Sequence, residues 1–225
     1  MKKKGLLWSG VMAIIVLFLA YPTTRELFGK TVKAHPYIMG FVKFSILATM
    51  GELLAIRITT GEFKNPTGLI YRFIIWGFLG IVFALMFPLF DAGVAGCKTA
   101  KLLPAITGSA FGNNLLTAFF TSAIMNLAFG PTFMAFHRIT DTYIDLGEGK
   151  LNKIFKVKLT DVTKKIDWNG FISFVILKTV PFFWIPAHTI TFMLPKEYRL
   201  LMAAFLSIAL GGILAFSKRK APKAA

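Results

Sequence analysis

The sequence predicts an all-α, polytopic transmembrane helix bundle of about six hydrophobic helices, namely a core of four or five helices and an N-terminal anchor. Of its 225 residues, 56% are hydrophobic and 16% are charged, whereas a soluble domain is about 45–50% apolar and about 25% charged. The apolar residues form long runs without the alternation of a β-strand. Because the backbone must satisfy its own hydrogen bonds in lipid, such runs favour helices.

Six apolar runs are candidates to cross the membrane, which takes about 20 helical residues. They cover residues 5–21, 37–56, 69–90, 115–136, 170–194 and 200–216. The uncharged stretch 102–136 is too long for one span at ~1.5 Å per residue, so its Gly-, Pro- and Asn-rich first part is predicted to be interfacial or re-entrant. The first run is either an uncleaved anchor or a cleaved signal peptide. Phe18 is bulky where cleavage after Ala20 needs a small residue, which favours the anchor.

The chain divides into three predicted regions. Residues 1–35 form a signal-anchor helix and a juxtamembrane segment, residues 36–216 form the bundle, and residues 217–225 form a basic tail. The bundle contains a basic connector at 138–169, where Lys153, Lys156 and Lys158 alternate with apolar residues. This pattern is typical of an amphipathic segment on the membrane surface, and a solvated loop stays open as the alternative.

Charge indicates orientation and partners. The formal net charge is +16, but the basic residues flank apolar runs, which favours contacts with the lipid bilayer and its anionic head groups over nucleic acid. Seventeen Lys and Arg residues fall on the side of both termini and seven on the other. This predicts an integral membrane protein with cytoplasmic termini, in a bacterial cytoplasmic membrane, because no Arg- and Ser-rich transit peptide is seen. An organelle membrane, with both termini on the matrix side, is the alternative, and a homo-oligomer stays open.

No pattern in the sequence predicts an enzyme, a cofactor or a metal site. There are ten acidic residues and three histidines, and the common nucleophile, phosphate-binding and zinc motifs are absent. Cys97 is the single cysteine, so it gives no disulfide framework. Asp141 and Asp145 are spaced to share one helix face, and we assign them to a solvated surface.

Polar residues within the predicted spans are the candidates for a polar interior or pore lining. An ionisable side chain costs about 2.5–3.5 kcal/mol at the centre of an inserting helix, so it tends to mark function. Glu52 and Lys178 lie at similar predicted depths and are expected to approach each other. They line a solute path, form a structural pair, or, for the lysines, snorkel to head groups. The candidates are Lys43, Glu52, Asn126, Lys178 and His188.

Short blocks resemble a known family. His35-Pro36 precedes Gly51-Glu52, and Trp184-Ile185-Pro186 precedes Phe192, Pro195 and Arg199. These blocks resemble the Mpv-seventeen and peroxisomal-membrane-protein-twenty-two family of small helical membrane proteins, over roughly residues 35–216. The family-like positions are Pro36, Gly51, Glu52, Gly80, Asp91, Pro131, Trp184, Pro186, Phe192, Pro195 and Arg199.

The resemblance implies a weakly selective channel in a membrane. Together with the polar spans, it predicts a channel or transporter for small solutes, and the intramembrane lysines favour an anionic solute. A non-transporting structural or lipid-organising membrane protein is the main alternative. A membrane enzyme acting on lipid is a third hypothesis, for which the sequence shows no catalytic constellation.

Overall fold

Helices make up all the regular structure of the part of the chain that is described. The computed structural model describes residues 2–220, with side chains over residues 3–213. This confirms the all-α prediction. The helices are α1 Lys2–Ala20, α2 Pro22–Ala34, α3 Pro36–Thr60, α4 Leu69–Thr99, α5 Ala110–Ala128, α6 Gly130–Leu146, α7 Leu151–Ile154, α8 Leu159–Lys165, α9 Trp168–Gly170, a π-helix Phe171–Trp184, α10 Ile185–Met193 and α11 Lys196–Lys220.

Four continuous helical segments are long and apolar enough to cross a membrane. They are Lys3–Ala20, Pro36–Thr60, Leu69–Thr99 and Trp168–Met193, and the bent pair α5 and α6 makes a fifth if it is one span. The sixth predicted run is helical as α11 but is not among these spans in the described residues. The end of this run, residues 214–216, lies beyond the side chains that the structure describes.

The run over residues 115–136, predicted as one span, is bent. The chain bends by 44° between α5 and α6. Pro131, in the first turn of α6, has no N–H to bond back to α5 and its ring crowds the preceding turn, so α5 ends and a new helix begins. Helix α5 also begins earlier than expected, at Ala110, because the side chain of Ser109 caps it by accepting a hydrogen bond from the Gly112 N–H at 3.0 Å. Within the stretch predicted to be interfacial, only residues before Ala110 are non-helical.

Helix ends meet at two opposite faces of the bundle, called face A and face B. At face A, Lys4 at the start of α1 donates to Asn65 in the α3–α4 turn at 3.4 Å. Gly68 in that turn packs against Gly149 of the connector, and both have a positive φ that glycine adopts without strain. At face B, α2 meets the start of α11 through an ion pair of Lys33 and Glu197 at 3.6 Å.

Helix α3 lies between α4 and α11, and small residues let these helices approach. The backbones of Gly40 and Gly80 touch, and a Cβ at either position would collide with the carbonyl of the other. Gly51 packs in the same way against the backbone of Ile208 on α11. Helix α1 is peripheral, with Trp8 donating to the Met50 carbonyl at 3.0 Å, so its apolar surface is left for lipid.

The fifth predicted span contains a 14-residue π-helix, which continues into α10. Pro181 lies inside the π-helix and Pro186 in the first turn of α10. A proline lacks the N–H and crowds the carbonyl four residues earlier, and the wider turn of a π-helix relieves this crowding. The two prolines of this span therefore coincide with a change in winding.

The flanking regions are more ordered than the sequence indicates. The juxtamembrane segment forms α2, whose buried Phe28 stacks on Tyr198 at 6.3 Å between ring centroids. The connector begins later than residue 138, because α6 continues to Leu146, and α8 packs on α6 through the fully buried Val162. Of the predicted basic tail, residues 217–220 belong to α11 and residues 221–225 lie outside the described residues.

Candidate functional site

Arg72, near the start of α4, is surrounded by carboxylates of two other helices. Its Nη1 lies 2.9 Å from Glu52 Oε1 on α3 and 2.9 Å from Asp141 Oδ2 on α6. Its Nη2 donates to Asp145 Oδ1 at 2.7 Å, and its Nε donates to the Thr67 carbonyl at 2.9 Å. A planar guanidinium can serve several oxygens at once. With three carboxylates around one cation, this Arg72 cluster carries net negative charge.

Next to the cluster lie buried polar atoms without partners. His137 Nδ1 is 3.5 Å from Asp141 Oδ2, and the His137 ring lies on Trp76 at 4.1 Å between centroids. Among the described residues, His137 Nε2, Asp141 Oδ1 and Trp184 Nε1 have no hydrogen-bond partner. Unpaired buried polar atoms are rare because they are costly. All three side chains line one cavity.

A second cluster of polar side chains lies between the α5–α6 bend and the junction of the π-helix with α10. Asn126, near the end of α5, and His188, on α10, are joined at 3.0 Å between Nδ2 and Nδ1. Ser122 donates to the carbonyl of Ile185 at 2.7 Å, where the π-helix gives way to α10. The ring of Trp184 stacks on His188 at 5.1 Å. These breaks therefore expose polar groups inside the bundle rather than to lipid.

The acidic cavity, named for Glu52 and Asp141, contacts both polar groups. Its volume is about 530 Å³, which is the size of a small-molecule site. Along α6 its lining runs from Gly130 to Asp141, or ~16 Å at the helical rise, about half of a hydrocarbon core. Polar and aromatic side chains line it, among them Glu52, Trp76, Phe83, Asn126, Phe133, His137, Arg138, Asp141, Trp184 and His188.

The basic cavity lies toward face B and has a volume of about 460 Å³. Its wall contains Lys33, Lys43, Lys196 and Arg199 against two acids, Asp91 and Glu197. Arg199 Nη1 pairs with Asp91 Oδ2 at 2.9 Å, and Lys196 is 3.8 Å from the same oxygen. Lys43 is 5% exposed, and its Nζ has no hydrogen-bond acceptor among the described residues.

One side chain, Phe83, belongs to the walls of both cavities. Its ring lies 4.9 Å from Phe44, 4.6 Å from Phe133, and 5.8 Å from both Phe87 and Phe129. Phe83 is fourteen residues into the 31-residue α4, so it lies near the middle of that helix. We call these five rings the Phe83 cluster, and the two cavities end at it from opposite sides.

The structure divides the five candidate interior residues. Glu52, Asn126 and His188 line the acidic cavity, and Lys43 lines the basic cavity. Lys178 is exposed on the π-helix and lines neither. The expected approach of Glu52 and Lys178 is wrong, because Glu52 is engaged by Arg72.

Residues that the sequence analysis missed complete the site. Arg72 was counted as an orientation signal, and Asp141 and Asp145 were assigned to a solvated face, yet all three form the Arg72 cluster. Arg72 lies just inside the start of an apolar run. This position in the sequence indicates that the arginine needs a counter-charge. Nothing in the local sequence around Phe83 distinguishes it from the other phenylalanines.

The family-like positions lie at helix starts, helix contacts and cavity walls. Pro36, Asp91 and Arg199 line the basic cavity, and Phe192 is buried beneath the Arg199 guanidinium at 5.4 Å. Gly51, Glu52 and Trp184 line the acidic cavity. Gly80 meets Gly40, and the prolines lie in the first turns of α6 and α10 and in the α10–α11 turn: Pro131, Pro186 and Pro195.

Comparison with family models, with curated proteins and with solved structures finds no match to this chain. The resemblance to the Mpv-seventeen and peroxisomal-membrane-protein-twenty-two family therefore stays a prediction from the motifs.

Proposed function

We propose that this integral membrane protein is a channel or transporter for small solutes, which pass through the acidic and basic cavities. The Phe83 cluster is the closed barrier between them. The observation that carries this proposal is that the ring of Phe83 is a wall of both cavities. A hydrophobic constriction between two polar chambers is a known way to close a pore, because water leaves the narrow apolar section.

The charges of the cavities support weak selectivity. The wall of the acidic cavity contains Glu52 and Asp141 together with Arg138, and the wall of the basic cavity contains four basic side chains and two acids. A solute crossing both meets charges of both signs, so neither sign of solute charge is strongly favoured. The expectation of an anionic solute rested on Lys43 and Lys178, and Lys178 lines neither cavity. We therefore propose small polar solutes without a fixed sign of charge.

The experiment is solute efflux from liposomes that contain the purified protein. Phe83→Ala removes the ring shared by the two cavities, so we expect efflux of small polar dyes and metabolites to rise about tenfold, equal to ~1.4 kcal/mol of barrier. Efflux through the wild-type protein should exceed that of empty liposomes. Rates are normalised to the amount of folded protein in the liposomes.

Phe182→Ala is the matched control, because Phe182 is 80% exposed on the π-helix and lines neither cavity. Its efflux should equal that of the wild-type protein. If Phe83→Ala and Phe182→Ala proteins are both folded and release solute no faster than empty liposomes, the conduction proposal fails. That result would favour the alternative of a structural or lipid-organising membrane protein.

The orientation and kinship are part of the same proposal. We propose that face A, with the connector and the Arg72 cluster, is cytoplasmic, since the side of both termini carries most of the Lys and Arg residues. A bacterial cytoplasmic membrane fits this orientation, with a mitochondrial or peroxisomal membrane as the alternative. We also propose that the chain is a remote member of the family that its motifs resemble.

A further inference from the structure

We infer that the basic cavity is a binding site for the phosphate group of an amphipathic anion, with Lys43 as its inner cation. The inference rests on the side chains and helix ends around this cavity and not on conduction. A protein that conducts nothing could still hold a phosphate here. Four features of the cavity support the inference, and each is taken in turn.

The first feature is the isolation of the Lys43 ammonium. Lys43 lies on α3 inside the bundle, 5% exposed, and its Nζ has no hydrogen-bond acceptor among the described residues. The ring of Phe28 lies 5.6 Å from Nζ and provides a weak cation–π contact. A buried charge without a hydrogen-bonded partner is expensive. A bound oxyanion would supply the acceptors that the protein does not.

The second feature is the surplus of positive charge around the cavity. Asp91 is already held by Arg199 at 2.9 Å, and Glu197 is 3.6 Å from Lys33. Four cations against two acids leave a net charge of about +2 in this wall. Lys196 is 81% exposed at its side chain and lies 3.8 Å from Asp91, so it is free to turn toward another anion.

The third feature is the direction of the surrounding helices. Helix α3 begins at Pro36 and α11 begins at Lys196, and both residues line the basic cavity. The N-terminus of a helix carries partial positive charge and unpaired N–H groups. Two such ends add to the attraction for phosphate, which these groups commonly bind, and they outnumber the one helix C-terminus at the cavity, that of α2 at Lys33.

The fourth feature is the apolar side of the same cavity. Phe83, Phe87, Pro88 and Leu200 also line it. A free inorganic phosphate would leave these apolar side chains uncovered, whereas an acyl chain attached to a phosphate would cover them. The cavity therefore matches the head group and first methylenes of an anionic phospholipid, and inorganic phosphate is the other source of the same chemistry.

The test measures thermal unfolding of delipidated protein in neutral detergent with three added ligands. These are phosphatidylglycerol, zwitterionic phosphatidylcholine and inorganic phosphate. We expect phosphatidylglycerol to raise the melting temperature of the wild-type protein in a saturable way, with no matching effect of phosphatidylcholine. Stabilisation by inorganic phosphate alone would assign the site to free phosphate.

Lys43→Met removes the inner cation with little change in shape, and we expect phosphatidylglycerol to bind it at least about tenfold more weakly, as for loss of a charge-assisted hydrogen bond. Lys43→Arg should keep most of the affinity. Lys178→Met is the matched control, because Lys178 is also a lysine of an apolar helix but lies outside the cavity. Its affinity should equal that of the wild-type protein.

Native mass spectrometry of the wild-type protein gives a second measurement that needs no variant. We expect one phosphatidylglycerol to stay bound under conditions that remove phosphatidylcholine. The inference is overturned if no phosphate-bearing ligand stabilises or stays bound to the wild-type protein. It is also overturned if Lys43→Met binds phosphatidylglycerol as tightly as Lys178→Met does. These outcomes are independent of the efflux results for Phe83→Ala.

Discussion

At the scale of single residues, Arg72 determines the electrostatics of face A. It is buried, yet it joins α4 to α3 through Glu52 and to α6 through Asp141 and Asp145. Removing one member of such a group leaves the others buried without a counter-charge, which costs more than the pair itself contributes. Arg72 is therefore expected to be more sensitive to substitution than any exposed basic residue on the same face.

We expect Arg72→Met to lower the free energy of unfolding by about 3 kcal/mol. The value lies at the low end for buried ion pairs because the Asp145 side chain is 56% exposed. Adding Glu52→Gln should recover part of the loss, since it removes one uncompensated carboxylate. The measurement is thermal or denaturant unfolding in detergent.

Arg57→Met is the control for Arg72→Met, because Arg57 is an exposed arginine in the last turn of α3. A change within about 0.5 kcal/mol is expected for it, as for other exposed charges. Equal stability of Arg57→Met and Arg72→Met would show that the Arg72 cluster does not hold the helices together.

The sequence allowed part of this site to be predicted at the residue scale. Glu52, Asn126 and His188 were identified because polar groups are expensive in lipid. The partner of Glu52 was not, since a helical rise gives depth but not the direction in which a side chain points. Lys178 is a lysine at a suitable depth that faces outward, whereas Arg72 faces inward from a different helix.

At the scale of elements, glycine decides how closely α3 and α4 pack. Gly40 and Gly80 are in backbone contact, so neither position has room for a side chain. Small residues at helix contacts are the means by which membrane helices gain dispersion energy, because lipid offers no hydrophobic drive for association. The contact also sets the spacing of the two helices that carry Phe44, Lys43 and Phe83 to the cavities.

We expect Gly80→Ala to destabilise the protein by about 1–3 kcal/mol, because the new methyl group meets the Gly40 carbonyl and the helices must separate. Gly93→Ala is the control on the same helix, where a Cβ meets nothing within 4 Å. That change should be neutral or stabilising by up to about 1 kcal/mol through helix propensity. Unfolding curves of the two variants in detergent make the comparison, and a harmless Gly80→Ala would contradict the packing argument.

Helix breaks were only partly predictable at this scale. Pro181 and Pro186 are visible in the sequence of the fifth span, but a π-helix over Phe171–Trp184 depends on packing that local sequence does not reveal. The bend before Pro131 was missed because Pro131 was placed inside a span chosen by length and hydropathy. Those measures do not distinguish one straight helix from two bent ones.

At the scale of the whole molecule, the arrangement of helix ends into two faces is a testable topology. Lys4, the α3–α4 turn and the connector lie at face A. The α4–α5 loop lies at the far end of α4 from that turn. If the charge distribution orients the chain, face A is cytoplasmic and the α4–α5 loop is outside.

We expect Ala105→Cys, in a Cys97→Ser background, to react with a membrane-impermeant maleimide on intact bacterial cells. Lys156→Cys in the same background should react only after the membrane is permeabilised. Both positions are exposed, in the α4–α5 loop and in the connector. The reverse labelling pattern would contradict the proposed orientation, and labelling of both in intact cells would contradict the membrane crossing between them.

The all-α bundle was predictable from composition because long apolar runs leave few alternatives in lipid. The two cavities were not, because each is formed by side chains from distant parts of the sequence. Phe87 and Arg199, for example, meet at the basic cavity although more than a hundred residues separate them. The division of the interior into two chambers follows from packing and not from any local motif.

The ring of Phe83 is a common wall of the two cavities. A ligand that displaces this ring when it binds in one cavity changes the volume of the other cavity. By thermodynamic linkage, if the first ligand changes the affinity for the second ligand by some factor, the second ligand changes the affinity for the first by the same factor. Measuring the affinity for a phospholipid at face B, with and without a solute at face A, would therefore show whether the two ligands bind cooperatively, competitively or independently.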